Sequence, residues 1–491
     1  LRNHFSSVFH GRGTMAESRA SVGNDSAPRL PRLGHQLTNY STQSSPRSSP
    51  LPLIKEEKSD KKFADAEGEL KSDRKGEGSI VEGNKQIRRY WNAPILRQLW
   101  GMEQHVDKVG WFELFYDLIY VALAINLSAF LKKNTDAEGV ATAALFFTQL
   151  FSAWNSLTIF ESRFHTRDVF GTTLKFLYSA SALFMNVFVL DGLKSRFQFS
   201  IASAASRICL VIMYGQVLLV VPRARAFARV AVTGNLVSVC LFVAAAFMQR
   251  KEATAVTWII ASIVVENVWL AYVYSHTQTS IPINIEHIAE RYGLFIMLMH
   301  GETIIAIGTE TSVDSPEDFA IVFWGFLIVF CLHNIYFGSL PKEPEDHALR
   351  LSGRRGRAFI YLHIILGFAL IAVGTALAEL KKATNTGKSL KRRSFSLLAL
   401  SIVLFLISVN AIRLTHNFKV GTFSVWFIRC IFIAVMMILP FTAGNLEPQE
   451  IASIYAIFMI VLVNIETVDT AEAYEEGEAR LNNLPPPPKN M

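Results

Sequence analysis

Trp111-Phe-Glu-Leu-Phe-Tyr-Asp-Leu-Ile-Tyr-Val-Ala-Leu-Ala-Ile-Asn-Leu-Ser-Ala-Phe-Leu131 is the stretch that decides the fold. It contains neither Pro nor Gly, and its two acidic residues, Glu113 and Asp117, sit near its start. The remainder is apolar without the two-residue alternation of a half-solvated strand. A helix needs about 20 apolar residues to cross the hydrocarbon core of a bilayer, so length and composition make this a transmembrane helix.

Comparable segments follow at 141–160, 170–191, 200–221, 231–248, 254–275, 290–309, 319–340, 358–380, 394–415, 423–440 and 450–466. Pro222, Pro282, Pro341, Gly421 and Pro448 punctuate the breaks between them. Of the 491 residues, 51% are hydrophobic and 18% charged; soluble domains carry roughly 25% charged residues. The sequence therefore predicts an all-α polytopic membrane protein, a bundle of about twelve transmembrane helices over 111–466. Acidic motifs recur in the first and seventh spans, and Trp154/Asn155 and Trp324/Asn334 lie in the spans that follow each. That recurrence suggests two six-helix halves related as a parallel repeat.

The flanks read differently. Residues 1–84 are rich in Ser, Arg, Lys, Asp, Glu, Pro and Gly with no repeating apolar face, and are expected to be a disordered tail. No apolar leader lies near the first residue, so no cleavable signal peptide is expected. The segment 85–110 sets Tyr90, Trp91, Leu96 and Trp100 among Arg88, Arg89 and Arg97, which suits an amphipathic stretch lying at the membrane interface. An acidic tail over 467–491, containing four consecutive prolines at 485–488, is expected to be disordered. The net charge of +7 sits largely in loops such as Arg223, Arg225, Arg229 and Arg354, Arg355, Arg357. Basic loops beside apolar spans mark a membrane face and lipid headgroups, not nucleic acid. The basic residues of the loops are balanced between the two faces; Arg97 and Lys108 ahead of the first span favour an internal N-terminus, and the run Lys388, Lys391, Arg392, Arg393 opposes it. The four cysteines, all inside apolar runs without a CxxC pair, read as small buried hydrophobes.

Ionisable residues within spans are costly, which makes them functional candidates. Glu113 and Asp117 are one helical turn apart and share a face. Two carboxylates at one buried level need a cation or a proton; the competing reading is that they cap the helix at the headgroup boundary. The seventh span offers His287, Glu290, Arg291, His300 and Glu302. Arg291 and Glu302 share a face but stand about 16 Å apart along the axis, too far for a direct pair. Glu290 and Arg291, being adjacent, point to different neighbours. Glu266 and Arg207 are further buried candidates. The loop Arg163-Phe-His-Thr-Arg-Asp168 is dense in charge and reads most simply as a solvated turn.

Trp111-x-Glu113-Leu-Phe-Tyr-Asp117-Leu, His287-x-x-Glu290-Arg291-Tyr-Gly293-Leu with Gly301-Glu302-Thr303, and Arg163-Phe-x-Thr-x-Asp168 together resemble the bacterial low-temperature-requirement protein A (LtrA) family. The resemblance covers roughly 105–470 and leaves both tails outside it. His300 departs from the pattern, which has an aliphatic residue before Gly-Glu. The resemblance implies a multi-pass membrane protein linked by name to growth in the cold, and implies no particular activity.

Three functional readings follow from the residues. A secondary transporter or permease coupled to protons or cations would use Glu113, Asp117, Glu266, Glu290, Arg291 and Glu302 as its binding or coupling set, with the lipid bilayer and a small molecule or ion as partners. A sensor or structural membrane protein would act through its tails. An intramembrane enzyme is the least favoured, because no HExxH, nucleotide loop or nucleophile elbow is present, and neither a metal nor a cofactor is expected.

Overall fold

The computed structural model describes residues 90–98, 108–166, 168–269, 281–309, 315–341, 344–383, 388–417, 422–442 and 446–482; among these, side chains at 266–269, 388–391, 422–425, 442 and 469–482 are not described. The expectations for the tail at 1–84, for Trp100 and for the prolines at 485–488 fall outside these residues. The helices are α1 (Trp111–Lys133), α2 (Ala137–Glu161), α3 (Val169–Val187), α4 (Arg196–Val220), α5 (Arg225–Phe247) and α6 (Lys251–Ile259), the last continued by a π-helical segment over Ile260–Trp269. They continue as α7 (Ile285–Thr309), α8 (Pro316–Gly338), the short α9 (Ala348–Leu351), α10 (Gly353–Ala383), α11 (Lys388–Thr415), α12 (Thr422–Thr442) and α13 (Pro448–Asn482).

Among the described residues, nine helical stretches are long and apolar enough to cross a membrane. Their outward faces carry large apolar side chains, including Leu118 at 60%, Phe176 at 66% and Leu219 at 73% exposure, while arginines and carboxylates are buried. That inversion suits a lipid solvent, and water would not tolerate so much contiguous apolar surface. The chain is an all-α, multi-pass integral membrane protein. Nine stretches, not about twelve, are what these helices support. The difference has identifiable sources. Val169–Val220 is one stretch of 52 residues because the 3-10 segment Phe188–Ser195 links α3 to α4. The two helices nevertheless pack against each other. The reversal passes through Gly192 at φ 59°, a left-handed conformation that favours glycine, and a Cβ there would meet the Phe130 ring at 2.9 Å. The expected segment 254–275 runs beyond Trp269 into residues outside the description, and 423–440 is present as the shorter apolar helix Trp426–Phe441.

α10 is the central element. Of its apolar window 78% is buried, against 39% for α5 or α13. It packs on α1, α7 and α11. Close approach is built into its glycines: a Cβ on Gly374 would lie 2.9 Å from Thr303 Cα, and one on Gly367 would lie 2.7 Å from the Phe147 ring. Thr303 Oγ1 also donates to the Leu370 carbonyl at 3.0 Å, tying α7 to α10.

Two local features differ from the expectations. The loop after α2 is not a solvated turn. Phe164–His165 forms strand β2 antiparallel to β1 (Ile95–Leu96), with Ile95 opposite His165. Arg163 is buried, and Asp168 caps α3 by accepting from Gly171 N at 3.3 Å and also accepts from Asn92 N at 3.1 Å. Part of the segment expected at the interface, 90–98, is thereby hydrogen-bonded to the bundle, with Gln216 donating to the Asn92 carbonyl at 2.8 Å. At the other end, α13 continues as helix through the acidic stretch 467–482. Ala, Glu, Arg and Leu in that stretch are strong helix formers, so a helix already nucleated in the bundle propagates through them.

Candidate functional site

α1 opens at Gly110, and Glu113, at the third helical position, accepts from the Gly110 amide at 2.8 Å. This is the capping role available to an acidic residue in the first turn. The same carboxylate accepts from Arg97 Nη2 at 3.3 Å and lies 3.0 Å from His287 Nε2. Arg97 also reaches Glu161 at 3.9 Å, and Glu161 forms an ion pair with Lys175 Nζ at 2.8 Å, not aligned as a hydrogen bond. One turn along α1, Asp117 is 2% exposed. It accepts both terminal nitrogens of Arg291, at 2.8 Å for Nη2, and Trp154 Nε1 at 2.9 Å. The Arg291 guanidinium lies 5.3 Å from the Trp154 ring centroid. Three buried carboxylates thus face three cations, Arg97, Lys175 and Arg291, with His287 beside them.

Polar contacts extend around this cluster. Tyr292 donates to Asn155 Oδ1 at 2.6 Å. Tyr178 donates to the Ala153 carbonyl at 2.6 Å and accepts from the buried Arg207 at 3.2 Å. The Tyr116 and Tyr120 hydroxyls are 2.8 Å apart. The network joins α1, α2, α3, α4 and α7 at the end of the bundle where α1 begins.

Of the residues singled out in the sequence, Glu113, Asp117 and Arg291 meet here. Glu302 does not join them: it is buried further along α7, and its Oε2 has no hydrogen-bond partner among the described residues. Lys132, at the far end of α1, is a cation whose charge reaches it. Glu290 is exposed and takes no part in the cluster. The Glu266 side chain lies outside the described ones. His300 and Glu302, two apart and so on different faces, are both buried because α7 packs on α1, α2, α8 and α10. His300 Nδ1 lies 2.9 Å from the Ile296 carbonyl, its Nε2 has no hydrogen-bond partner among the described residues, and its ring stands 5.6 Å from that of His333.

Glu161 and Lys175 were missed, although Lys175 lies inside the expected span 170–191 and the cost of a buried charge should have flagged it. A second buried pair joins α12 to α13: Arg429 Nη2 donates to Glu466 at 2.7 Å and to Ser339 Oγ at 2.7 Å, and Nη1 donates to Asn410 at 3.3 Å. Among the described residues, no three His, Cys, Asp or Glu gather as a metal site.

Over residues 108–463 the sequence matches the family described as bacterial low temperature requirement A protein, LtrA. The chain belongs to the LtrA family. An uncharacterized protein of Rhizobium meliloti (strain 1021), RA0937, is 24% identical over 290 residues, covering 56% of this chain and 71% of that one. No solved structure matches. In this LtrA-family chain the two long motifs that carry the resemblance are the two sides of one cluster. Glu113 and Asp117 come from one motif, His287 and Arg291 from the other, and the third motif supplies the Asp168 cap.

Proposed function

We propose that this LtrA-family protein is a secondary transporter or permease coupled to protons or cations, with Glu302 as its exchanging group. The observation that carries the reading is the contrast between Glu302 and the three carboxylates Glu113, Asp117 and Glu161. Glu113, Asp117 and Glu161 each have a cation within ion-pair distance, whereas Glu302 is buried and its Oε2 has no hydrogen-bond partner among the described residues. Neutralising one partner of a buried ion pair costs about 3–5 kcal/mol, so the paired carboxylates make poor carriers. Among the described residues no cation lies within ion-pair distance of Glu302, so its protonation can change there without breaking a pair. A role for Asp117 as the exchanging group is correspondingly disfavoured.

Twelve crossings in two six-helix halves belong to the same proposal. The pairs Glu113–His287 and Asp117–Arg291 both span 174 residues. A constant difference in numbering means that α1 and α7 run parallel. That fits α2 to α6 each crossing once, with α3 and α4 as separate crossings. By the same alternation both ends of the membrane domain lie on one face, here proposed as the internal one.

The competing reading is a sensor or structural membrane protein. The fully paired cluster on α1, α2, α3 and α7 favours it, since a static scaffold needs its buried charges neutralised. Liposomes containing the full chain, loaded with a pH-sensitive dye and challenged with ions, amines and organic acids under a pH gradient, separate the two. Transport predicts a substrate-dependent proton flux that Glu302→Gln abolishes while the protein keeps its melting temperature. A wild-type flux with an unchanged pH profile in that variant would remove Glu302 from the mechanism. Absence of flux with every substrate class would favour the sensor.

A further inference from the structure

At the end of the bundle opposite the Asp117–Arg291 cluster, a cavity of about 1030 Å³ opens between the start of α2, the start of α11 and the end of α12. Its size is at the upper end of the roughly 300–1,000 Å³ of small-molecule sites. The physical origin of the space is legible. α2 presents Ala137, Ala141 and Ala144 there, and these small side chains leave the gap unfilled. Pro440, inside the last turns of α12, has no amide to donate, and it lies on the wall with Phe441.

The lining is polarised. Arg392, Ser396 and Leu400 on α11 are spaced by four, so they form one stripe that rises about 12 Å. The stripe runs from guanidinium to aliphatic surface, away from the helix end and into the membrane domain. Arg393 joins Arg392 at the polar mouth, and Val140, Phe395 and Phe441 join Leu400 on the apolar wall. Both arginines are exposed, and neither makes an ion pair among the described residues. Among the described residues none of the lining ones is acidic; Asp136 and Glu138 flank Ala137 at the start of α2 but do not line the space.

We propose that this cavity is a binding site for one anionic phospholipid, its phosphate at Arg392 and Arg393 and an acyl chain along Val140, Ala144, Leu400 and Phe441. Charge complementarity selects the anion, and the polarity running along α11 selects an amphiphile over a free ion. Two exposed arginines at the mouth, at roughly 1 kcal/mol each, amount to about a 30-fold preference for an anionic over a zwitterionic headgroup, at 1.4 kcal/mol per tenfold.

The test uses the full chain, purified and delipidated in a neutral detergent, with native mass spectrometry as the readout. Phosphatidylglycerol and phosphatidylcholine with identical acyl chains are titrated, and inorganic phosphate is the soluble competitor. The expected result is saturable phosphatidylglycerol binding at one site, about 30-fold tighter than phosphatidylcholine. R392Q/R393Q should erase that preference, and A141W, which fills the space, should lower occupancy by both lipids. A preference that survives R392Q/R393Q overturns the proposal, and so does equal binding of the two lipids. Displacement of the lipid by millimolar phosphate would reassign the site to a free anion. Should either variant fail to fold, a phosphatidylglycerol bearing a diazirine on its acyl chain decides the matter on the wild type. Labelling within 137–144 and 395–400 upholds the proposal, and labelling elsewhere overturns it.

Discussion

Removing either partner of Asp117–Arg291 should destabilise the bundle severely, and removing both should restore much of the loss. Asp117 accepts three hydrogen bonds, two from Arg291 and one from Trp154. Arg291→Gln leaves that carboxylate, 2% exposed, with only the indole donor and no charge partner. Asp117→Asn leaves a guanidinium that is 1% exposed and whose Nε already has no hydrogen-bond partner among the described residues. Each single change is worth about 3–5 kcal/mol, the usual cost of stranding a buried charge. The double variant Asp117→Asn/Arg291→Gln places two neutral amides opposite each other and forfeits only charge-assisted bonds, so about 1–3 kcal/mol is expected. The coupling between the sites should therefore exceed about 2 kcal/mol, well above the roughly 0.6 kcal/mol typical of neutral hydrogen bonds between membrane helices. Trp154 bonds to Asp117 and lies against Arg291, so its fluorescence reports on the pair during equilibrium unfolding in mixed micelles. Arg291→Lys should fall between wild type and Arg291→Gln, since it keeps the charge and loses the fork. A coupling below about 0.5 kcal/mol would refute the claim that mutual neutralisation holds α1 to α7.

Three further outcomes are expected. Gly374→Ala should cost about 1–3 kcal/mol, because its Cβ would meet the α7 backbone at Thr303 Cα, 2.9 Å away; Gly215→Ala, with nothing within 4 Å, should be neutral or stabilising, and equal melting temperatures would refute the close-approach argument. Glu466→Gln should lower the melting temperature by stranding Arg429, which is 0% exposed, and full stability of that variant would show that Asn410 and Ser339 suffice as partners. The loop before α10 should respond to acid: burial holds His347 down to about 4 and His416 to about 3, and their Nδ1 atoms accept the Leu349 and Ala348 amides. Both stay neutral in the fold while the unfolded chain takes up protons below about pH 6.5, so stability is complete above that pH and falls towards pH 4 by roughly 1.4 kcal/mol per pH unit per histidine. Melting at pH 7.5 and 5 should show this slope, and His416→Asn should flatten it. An unchanged slope in that variant would assign the acid response to other groups.

How much of this was legible follows from what each feature depends on. Span composition is local, so α1, α2, α7 and α10 could be read from apolar length alone. The break between 170–191 and 200–221 was legible too, but not its form: 3-10 turns through Gly192 keep α3 and α4 in one continuous helical stretch. The ion pairs were half legible. The price of a buried charge marks Asp117 and Arg291 individually, but the partners are non-local, and a sequence does not display that Arg97 and Lys175 share Glu161. The Arg163–Asp168 loop was misread because charge in a loop normally means solvent. Here Arg163 and Asp168 are buried among β1, α3 and α5, where the Arg163 guanidinium lies 4.8 Å from the Phe227 ring centroid. The cavity near Arg392 was not legible at all, since it depends on where three helix ends fail to meet.

The constant spacing of 174 residues adds an argument that neither motif makes alone. Glu113 and Asp117 are four apart, and so are His287 and Arg291, so parallel helices in contact bring both pairs level at once. Extending the same register along α1 and α7 sets Glu302 level with Ser128. That residue accepts from the Thr375 hydroxyl of α10 at 3.0 Å. The α1–α7 seam is thus polar at two levels of different kind. Near the start of α1, fixed opposite charges lock the helices together. Further along, a carboxyl whose Oε2 has no partner among the described residues lies at the height of two hydroxyl groups, those of Ser128 on α1 and Thr375 on α10. Locking one end leaves movement, if the helices move, to the other end, because breaking the Asp117–Arg291 rung carries the larger cost. A protonation change at Glu302 would therefore act where the seam can respond, and the same change at Asp117 would meet the stiffest point of the bundle.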